Sequence, residues 1–314
     1  MIPIIEVQRR SAVLNHPSLP CLGEHYTINL TAGCPHQCRY CYAQSLAHHP
    51  GWGQVLWYSN SLDLLSTELR RRRKPPRLVF FSTACEPFVP DECVLSMLYS
   101  AMELLLEHSV FLLISTKGRI PDDFLRLLAR HSGLVHVQVG ITTLDDSVCA
   151  AFEPNAPSVE ERLSNLRSLL GSGINAEARM DPLIPELTDE DGSFRALCRR
   201  LAESGCRRVV ASHLFLRQAN LHMLNIRLGG WSFRQMARRL YTHEFDDFCG
   251  HGTIYLPSTD YRRDKLSQLK AVAADCGVAL RLCRCTNPDV TSECCHPAPP
   301  DADAPPAQSF LFEP

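Results

Sequence analysis

Short apolar or alternating runs lie along the chain between longer segments with helical periodicity. Runs of about four to eight residues of this kind predict strands, and the longer periodic segments predict helices. The predicted strands cover residues 26–30, 78–81, 110–114, 134–141, 174–180 and 208–213. Proline followed by a capping residue marks three helix starts between them, at Asp91, Asp122 and Ser158. Further helices are predicted at 61–73 and 191–204.

This alternation of strand and helix predicts parallel strands joined by right-handed crossovers. The repeat occurs about six times, fewer than the eight units of a closed TIM barrel. We therefore expect an α/β fold, a partial (βα)6 TIM-type barrel with a cysteine-rich C-terminal extension. A doubly wound open sheet is the alternative.

The pattern divides the chain into four segments. We interpret them as an irregular N-terminal segment, the partial barrel, a C-terminal extension and a disordered tail rich in Pro, Ala and Asp, over residues 1–24, 25–215, 216–296 and 297–314. Within the extension we predict helices at 231–240 and 261–276 and a strand at 278–282.

The 314-residue chain is 45% apolar and 21% charged, an ordinary globular balance. Its 32 basic and 34 acidic side chains leave a net charge of −2, which argues against a general polyanion-binding protein. Local basic segments such as 70–74 and Arg238-Arg239 could still contact phosphates. No apolar stretch is long enough for a membrane span and no signal peptide is evident. We expect a cytoplasmic protein without a membrane partner.

Cysteine is the unusual residue of this composition, with 15 copies. In a reducing cytosol many thiols indicate metal or redox chemistry rather than a disulfide scaffold. Seven of them form two groups, one near each end of the chain. The first group is Cys34, Cys38 and Cys41, and the second is Cys283, Cys285, Cys294 and Cys295.

The first group has the spacing CxxxCxxC. Cys38 and Cys41 would be neighbours if a helix begins there, with Cys34 reaching in from the preceding loop. Three thiolates this close favour a soft metal or an iron–sulfur cluster. Three ligands on a four-iron cluster leave one iron open, and an open position marks a reactive site. The alternative is a zinc knuckle that borrows His36 or His25.

The segment TAGCPHQCRYCYA at 31–43 follows the first predicted strand. Its spacing and context resemble the radical S-adenosylmethionine (SAM) superfamily. The resemblance implies a [4Fe–4S] cluster on Cys34, Cys38 and Cys41, whose open iron binds the amino and carboxylate groups of SAM. It also implies that the reduced cluster cleaves SAM to a 5′-deoxyadenosyl radical, with an electron donor such as flavodoxin or ferredoxin.

Other residues resemble the spore photoproduct lyase-like group of that superfamily. Tyr40 and Tyr42 flank Cys41, and Cys85 follows it by 44 positions in the segment FSTACEP. The resemblance implies that Cys85 returns a hydrogen atom to a thymine radical, that the tyrosines relay the radical, and that damaged DNA is the partner. A thiol suits this role because its S–H bond is weaker than most C–H bonds. The alternatives are a cysteine that fills the core and tyrosines that pack the loop.

Three further strand ends carry candidate SAM contacts. The lyase-like group has a lysine near SAM, which Lys117 matches at the end of the third strand. The hydroxyls of Thr142 and Thr143 follow the fourth strand, where they could meet the ribose. Arg179 in the fifth strand has the fork geometry to hold the methionyl carboxylate.

The second cysteine group is not part of the lyase pattern. The number of ligands in the segment 283–296 suits a second iron–sulfur cluster or a zinc site, which Cys249 or His296 could complete. This departure keeps two other functions open. One is a radical SAM enzyme that modifies RNA, a peptide or a small molecule, and the other is a non-catalytic metal-binding regulatory protein.

Overall fold

The computed structural model describes residues 2–17, 23, 25–246 and 253–297. Its strands in chain order are β1 (Ile4–Val7), β2 (Tyr26–Ile28), β3 (Thr31–Ala32), β4 (Val55–Tyr58), β5 (Leu78–Phe81), β6 (Phe111–Thr116), β7 (Val135–Gly140), β8 (Asn175–Leu183), β9 (Arg208–His213), β10 (Arg227–Leu228), β11 (Trp231–Ser232), β12 (His243–Asp246), β13 (Thr253–Leu256) and β14 (Ala279–Leu282).

Its α-helices are α1 (Ser61–Arg71), α2 (Glu92–Glu107), α3 (Asp122–Arg130), α4 (Asp146–Phe152), α5 (Val159–Gly171), α6 (Asp191–Glu203), α7 (Phe233–Leu240) and α8 (Thr259–Asp275). Short 3₁₀ helices cover Tyr42–Ser45, Ser132–Leu134 and Gln218–Leu224.

A parallel sheet of seven strands forms the framework, in the order β14-β9-β8-β7-β6-β5-β2. Helices follow its central strands, so the α/β fold predicted as a partial TIM-type barrel is confirmed. Because all strands run in one direction, their carboxyl ends meet at one edge of the sheet. Side chains from distant parts of the sequence are brought together there.

The two faces of the central strands pack separately. In β5, Val79 and Phe81 belong to the main core, which also contains the apolar faces of the helices. Leu78 and Phe80 lie on the opposite face, because successive side chains of a strand alternate, and they pack against β6 inside the barrel. The strand is apolar throughout because both of its faces are buried.

Two of the three predicted capping residues cap their helices; at α3 the N-cap is Pro121, so Asp122 is the first helical residue and not a cap. Asp91 precedes α2 and accepts a hydrogen bond from the Val94 amide at 3.1 Å. Ser158 precedes α5, where its hydroxyl and the Glu161 carboxylate bond each other's backbone amides in a capping box. Such caps satisfy amides that have no partner within the helix, which explains why short local signals located these starts.

The prediction of an irregular segment over residues 1–24 was wrong for its first part. Ile4–Val7 forms β1, which pairs in parallel with β4, while β4 pairs in antiparallel fashion with β3. β1 lies at a sheet edge, where Ile5 remains 42% exposed, and its apolar run is interrupted by Glu6.

Two helix predictions also need correction. Cys38 does not begin a helix: residues 38–41 form a turn in which the Cys41 amide donates to the Cys38 carbonyl at 3.0 Å, and Cys41 caps the 3₁₀ helix that follows. The segment predicted as a helix at 231–240 starts as strand β11, which pairs with β10, and the helix begins only at Phe233.

The C-terminal extension contributes to the barrel. Its strand β14 pairs in parallel with β9 as the seventh strand of the sheet. The chain that follows returns to the interior, where the Gln138 side chain donates a hydrogen bond to the Cys295 carbonyl at 2.6 Å. The buried Arg262 side chain holds this segment through Asn287 and Asp289. The predicted disordered tail, apart from Pro297, lies outside the described residues.

Across the described ranges, no helix is both long enough and apolar enough to cross a membrane.

Candidate active site

The loop after β3 places three cysteines at the carboxyl edge of the sheet. Its turn starts at Gly33, whose φ is +80° and where a Cβ atom would lie only 2.6 Å from the Gln54 carbonyl oxygen. Both facts require glycine at this position. The chain is thereby directed inward just before Cys34.

Hydrogen bonds to other segments fix the backbone of this cysteine loop. The Arg39 amide donates to the Phe152 carbonyl at 2.8 Å, and the Asn220 side chain donates to the Cys41 carbonyl at 2.6 Å. Cys34, Cys38 and Cys41 all line one cavity of about 260 Å³. Because remote segments fix the loop backbone, its three thiols are presented together from one wall.

The donor set of this loop fits an iron–sulfur cluster. All three cysteines carry free thiols, and burial raises their pKa values, that of Cys38 to about 12. Loading a metal must therefore displace protons. Within the described ranges, no three His, Cys, Asp or Glu side chains lie close enough to hold a single metal ion. A four-iron cluster distributes its thiolates over separate irons, so it accepts ligands spaced more widely than zinc does.

Cys85 lies beyond the end of β5 and lines the same cavity. Its thiol contacts the Asn29 side-chain oxygen at 3.5 Å, and the same oxygen accepts a hydrogen bond from the Ala84 amide at 3.0 Å. Burial raises the pKa of Cys85 above its ordinary value. The residue is therefore held as an S–H group, which is the form able to give up a hydrogen atom.

Tyr40 and Tyr42 lie on opposite sides of Cys41 and have different partners. The Tyr42 hydroxyl donates to the Thr83 carbonyl, two residues before Cys85. The Tyr40 hydroxyl donates to the Glu153 carboxylate. Burial and that carboxylate raise the pKa of Tyr40 well above its usual range. The two tyrosines therefore belong to different parts of the site.

Glu153 is a buried charged group that the sequence analysis did not identify as functional. Besides Tyr40, it accepts a hydrogen bond from Arg162, and Lys117 Nζ lies 3.8 Å away. Burial raises the pKa of Glu153, but the positive charges of Lys117 and Arg162 outweigh that effect and hold it below its usual value. Its sequence signal is the pair Glu153-Pro154, which resembles a segment common in the lyase-like group but carried no assigned role.

Glu86, next to Cys85, was also missed. It accepts hydrogen bonds from His36 at 3.1 Å and from the Lys117 amide at 3.0 Å, which joins the cysteine loop to the end of β6. A Cβ atom at Gly118 would lie 2.7 Å from this carboxylate, so glycine is required beside it. His36, the ligand considered for a zinc knuckle, is engaged by this carboxylate instead.

Two of the four predicted SAM contacts line the cavity and two do not. Lys117 and Arg179 line the cavity. The Arg179 guanidinium is anchored by Asp181 at 2.6 Å and by the Gln138 side-chain oxygen at 2.9 Å. Thr142 and Thr143 are buried and do not line this cavity.

Three of the four C-terminal cysteines reach the same cavity. Cys283 and Cys285 follow β14, and with Cys295 they pack around Val210 of β9. Hydrogen bonding with the Cys285 and Cys295 side chains and burial raise the pKa of Cys283 well above its usual value. Cys294 does not line the cavity.

Two further residues, His296 and Cys249, were considered as ligands for this group. His296 is buried, and its ring faces that of His25 at 6.3 Å between centroids. Cys249 lies outside the described residues.

Sequence comparison connects this site to known proteins. The family described as the radical SAM superfamily matches residues 28–198. An uncharacterized protein of Mycobacterium tuberculosis is 28% identical over 221 residues, covering 68% of this chain and 65% of that protein. The chain thus spans less than two thirds of that relative. A protein of Pseudomonas phage M6 named radical SAM Nalpha-GlyT isomerase is 24% identical over 193 residues, covering 61% of this chain and 40% of that protein.

Solved structures show where the fold recurs. Spore photoproduct lyase complexed with dinucleoside spore photoproduct aligns with a TM-score of 0.66 and 17% identity, over 89% of this chain and 82% of that one. A radical SAM methyltransferase from Sphaerobacter thermophilus aligns with a TM-score of 0.51 and 15% identity, over 83% and 66% of the two chains. At these identities the likeness is one of fold.

Proposed function

Because the chain belongs to the radical SAM superfamily, we propose that this radical SAM enzyme is a carbon–carbon lyase that repairs a thymine lesion in DNA, similar to spore photoproduct. One observation carries the proposal. Cys85 is a half-buried thiol in the same cavity as Cys34, Cys38 and Cys41, and burial raises its pKa above its ordinary value. A hydrogen-atom donor placed there could quench a radical on a substrate bound between them.

The cofactors would be held by residues that already face this cavity. Cys34, Cys38 and Cys41 would ligate a [4Fe–4S] cluster, and Lys117 and Arg179 would face SAM. When bound, the cluster and SAM together supply a carbon radical that removes a hydrogen atom from the substrate. The protein's part is to position these groups, to exclude water and to return a hydrogen atom.

The return step is assigned to Cys85. Loss of a hydrogen atom from the lesion's methylene breaks the bond between the two thymines and leaves a radical on one of them. The Cys85 S–H bond breaks, a C–H bond forms on that thymine, and a thiyl radical remains on sulfur. One hydrogen atom is removed from the substrate and one is returned to it, so the overall reaction is redox-neutral.

Tyr42 is the better candidate for restoring Cys85. Its hydroxyl is bonded to the Thr83 carbonyl, on the segment that carries Cys85. Its O–H hydrogen atom would reform the S–H bond, and the resulting tyrosyl radical would take back the hydrogen atom that 5′-deoxyadenosine has carried since the first step. SAM would then re-form by the reverse of its cleavage. Tyr40, bonded to Glu153, is assigned a positioning role toward Lys117.

The test is anaerobic turnover of dinucleoside spore photoproduct with SAM and dithionite. We expect wild-type protein to form repaired thymidine in excess of 5′-deoxyadenosine, because each hydrogen atom returned by 5′-deoxyadenosine allows SAM to re-form. Cys85→Ala should still form 5′-deoxyadenosine while the repaired product falls sharply. Tyr42→Phe should lower the number of repairs per SAM consumed, and Tyr40→Phe should lower SAM cleavage itself.

The matched control is Cys93→Ala, which removes an exposed cysteine from α2. It should leave both products unchanged. Formation of 5′-deoxyadenosine without repair by the wild-type protein would contradict the lyase proposal. Repair undiminished in Cys85→Ala would contradict the hydrogen-donor role.

A second candidate is a radical SAM enzyme that rearranges another substrate, such as a modified nucleotide, RNA, a peptide or a small molecule. The observation that favours it is the cavity wall of Cys283, Cys285 and Cys295, which departs from the lyase pattern. The similar phage protein is named as an isomerase, and an isomerisation would also remove and return one hydrogen atom. Substrate-dependent 5′-deoxyadenosine formation, screened across these classes, distinguishes the two candidates.

A further inference from the structure

A second concave surface lies outside the cavity, on the segment that follows β9. Hairpin β10–β11 and helix α7 form a cleft of about 580 Å³. We call it the arginine groove, and it is lined by Asn225, Arg227, Ser232, Arg234, Gln235 and Arg238. Three of its residues are cations, three are neutral hydrogen-bonding residues, and no lining residue is acidic.

The three arginines have no charged partner in the described part of the chain. Arg227, Arg234 and Arg238 are exposed, and no ion pair or hydrogen bond joins them to another described side chain. Arg234 and Arg238 are four residues apart on α7, so their charges lie side by side, which destabilises a helix. A bound polyanion would relieve this repulsion.

Three other arginines that stand in pairs along the chain are engaged by carboxylates. Arg239, next to Arg238, bonds Glu186, while Arg200 pairs with Glu160 and Arg262 is buried against Asp289. The groove arginines differ from these three because no carboxylate of the described residues pairs with them. The groove collects uncompensated charge in a chain whose net charge is −2.

The groove is built on the element that supports the cysteine loop. On the opposite face of α7, Phe233 and Met236 are buried in a cluster with Phe152, against which Tyr40 packs. Phe152 also accepts the backbone hydrogen bond from Arg39 in the cysteine loop. The side chains of this cluster thus connect the helix that carries the groove to that loop.

We infer that the arginine groove binds the phosphodiester backbone of a nucleic-acid strand whose damaged base occupies the cavity. The inference rests on the proposed nucleic-acid substrate. Guanidinium groups form bidentate hydrogen bonds with phosphate oxygens, and Asn, Ser and Gln donate to the same acceptors. Such contacts position a strand without reading its sequence, as a lesion-directed enzyme requires.

The test compares two double variants by fluorescence anisotropy with a labelled oligonucleotide of about 20 nucleotides, single-stranded and duplex, over a salt series. Arg234→Gln/Arg238→Gln should weaken binding and reduce the slope of log K against log salt by up to about 1.8 for duplex, which is about 0.9 per lost phosphate contact. Arg71→Gln/Arg73→Gln removes the same charge from an exposed basic segment at the end of α1. It should leave the slope and the wild-type affinity nearly unchanged.

Each other outcome overturns the inference. Equal losses of affinity in both double variants would show that only the overall charge matters. If the wild-type protein binds no oligonucleotide, the groove is not a nucleic-acid site. Competition by inorganic phosphate as effective as that by unlabelled oligonucleotide would make the groove a small-anion site. Wild-type turnover of dinucleoside spore photoproduct tests the proposed function separately, because that substrate presents no strand backbone to the groove.

Discussion

The two cysteine groups share one cavity but are built in opposite ways. Cys34, Cys38 and Cys41 come from a single loop, whose backbone is held by bonds to Phe152 and Asn220. The C-terminal group follows β14, and its free thiols form hydrogen bonds with one another. The first group presents separated thiols to a ligand, whereas the second group satisfies its own hydrogen bonds.

A buried carboxylate accompanies each group. Glu153 lies behind the loop with Lys117 and Arg162, while Glu177 lies beneath the C-terminal group with His136 and Arg281. Both carboxylates stay ionised despite burial because cations and hydrogen bonds lower their pKa values. A buried carboxylate therefore lies behind each cysteine group, but only Glu153 contacts a residue proposed to bind SAM, Lys117.

The largest expected effect separates the two groups by metal content. Cys34→Ala should abolish the loop cluster and all SAM cleavage, since three ligands are the whole protein contribution to that cluster. Cys283→Ala/Cys285→Ala should retain the loop cluster and SAM cleavage but lose any second metal. Iron, zinc and sulfide per chain, measured after anaerobic reconstitution, check both statements.

An unchanged metal content in the C-terminal double variant would rule out the second metal site and leave those thiols as a wall of the cavity. Loss of SAM cleavage in that variant with the loop cluster intact would instead show that both groups serve one reaction.

A smaller effect should distinguish the two carboxylates. Glu153→Gln leaves Arg162, whose side chain is only 1% exposed, without its counter-charge, and such a change costs about 3–5 kcal/mol. Glu177→Gln should cost less because Arg281 is 29% exposed and can be solvated. Urea unfolding of the reconstituted proteins measures both costs. Equal costs would show that solvent access to the partner does not set them.

The smallest effect concerns Cys85, which lies in the cavity between the two groups. Hydrogen donation needs the S–H form, and burial raises the pKa of Cys85 above its ordinary value of 9.0. The protonated form is therefore kept as pH rises through 9.0 and is lost only at higher pH. The ratio of repaired product to 5′-deoxyadenosine should stay constant over this range. A fall in that ratio near pH 8 would mean that Cys85 titrates like a solvated thiol.

Much of the fold followed from local signals. Residues 78–81 and 208–213 were predicted as strands with the bounds that the structure has, because β5 is apolar throughout and β9 contains the apolar run 209–211. Strand β1 was missed although three of its four residues are apolar, because the run is interrupted by Glu6 and does not alternate. The helix start considered at Cys38 is absent because the same spacing of three residues also fits the turn that residues 38–41 adopt.

The candidate site was predictable only in part. The spacing of Cys34, Cys38 and Cys41 pointed to a cluster, since their ligand geometry is set within one loop. Glu86 and Glu153 were missed because an isolated glutamate reads as a surface residue until its partners are known. Their burial depends on His36, Lys117 and Arg162, which the fold brings from other strands and helices.

The sequence by itself determined the α/β alternation, the superfamily and the position of the three-cysteine loop, because periodicity, caps and closely spaced cysteines are short-range properties. Only the tertiary structure decided that the C-terminal cysteines face the same cavity, that Tyr42 lies beside the Cys85 segment, and that three arginines share one groove. These arrangements depend on the pairing of β14 with β9 and on the packing of α7. Such long-range contacts are selected by the sum of many burial and hydrogen-bond energies, and no local pattern encodes that sum.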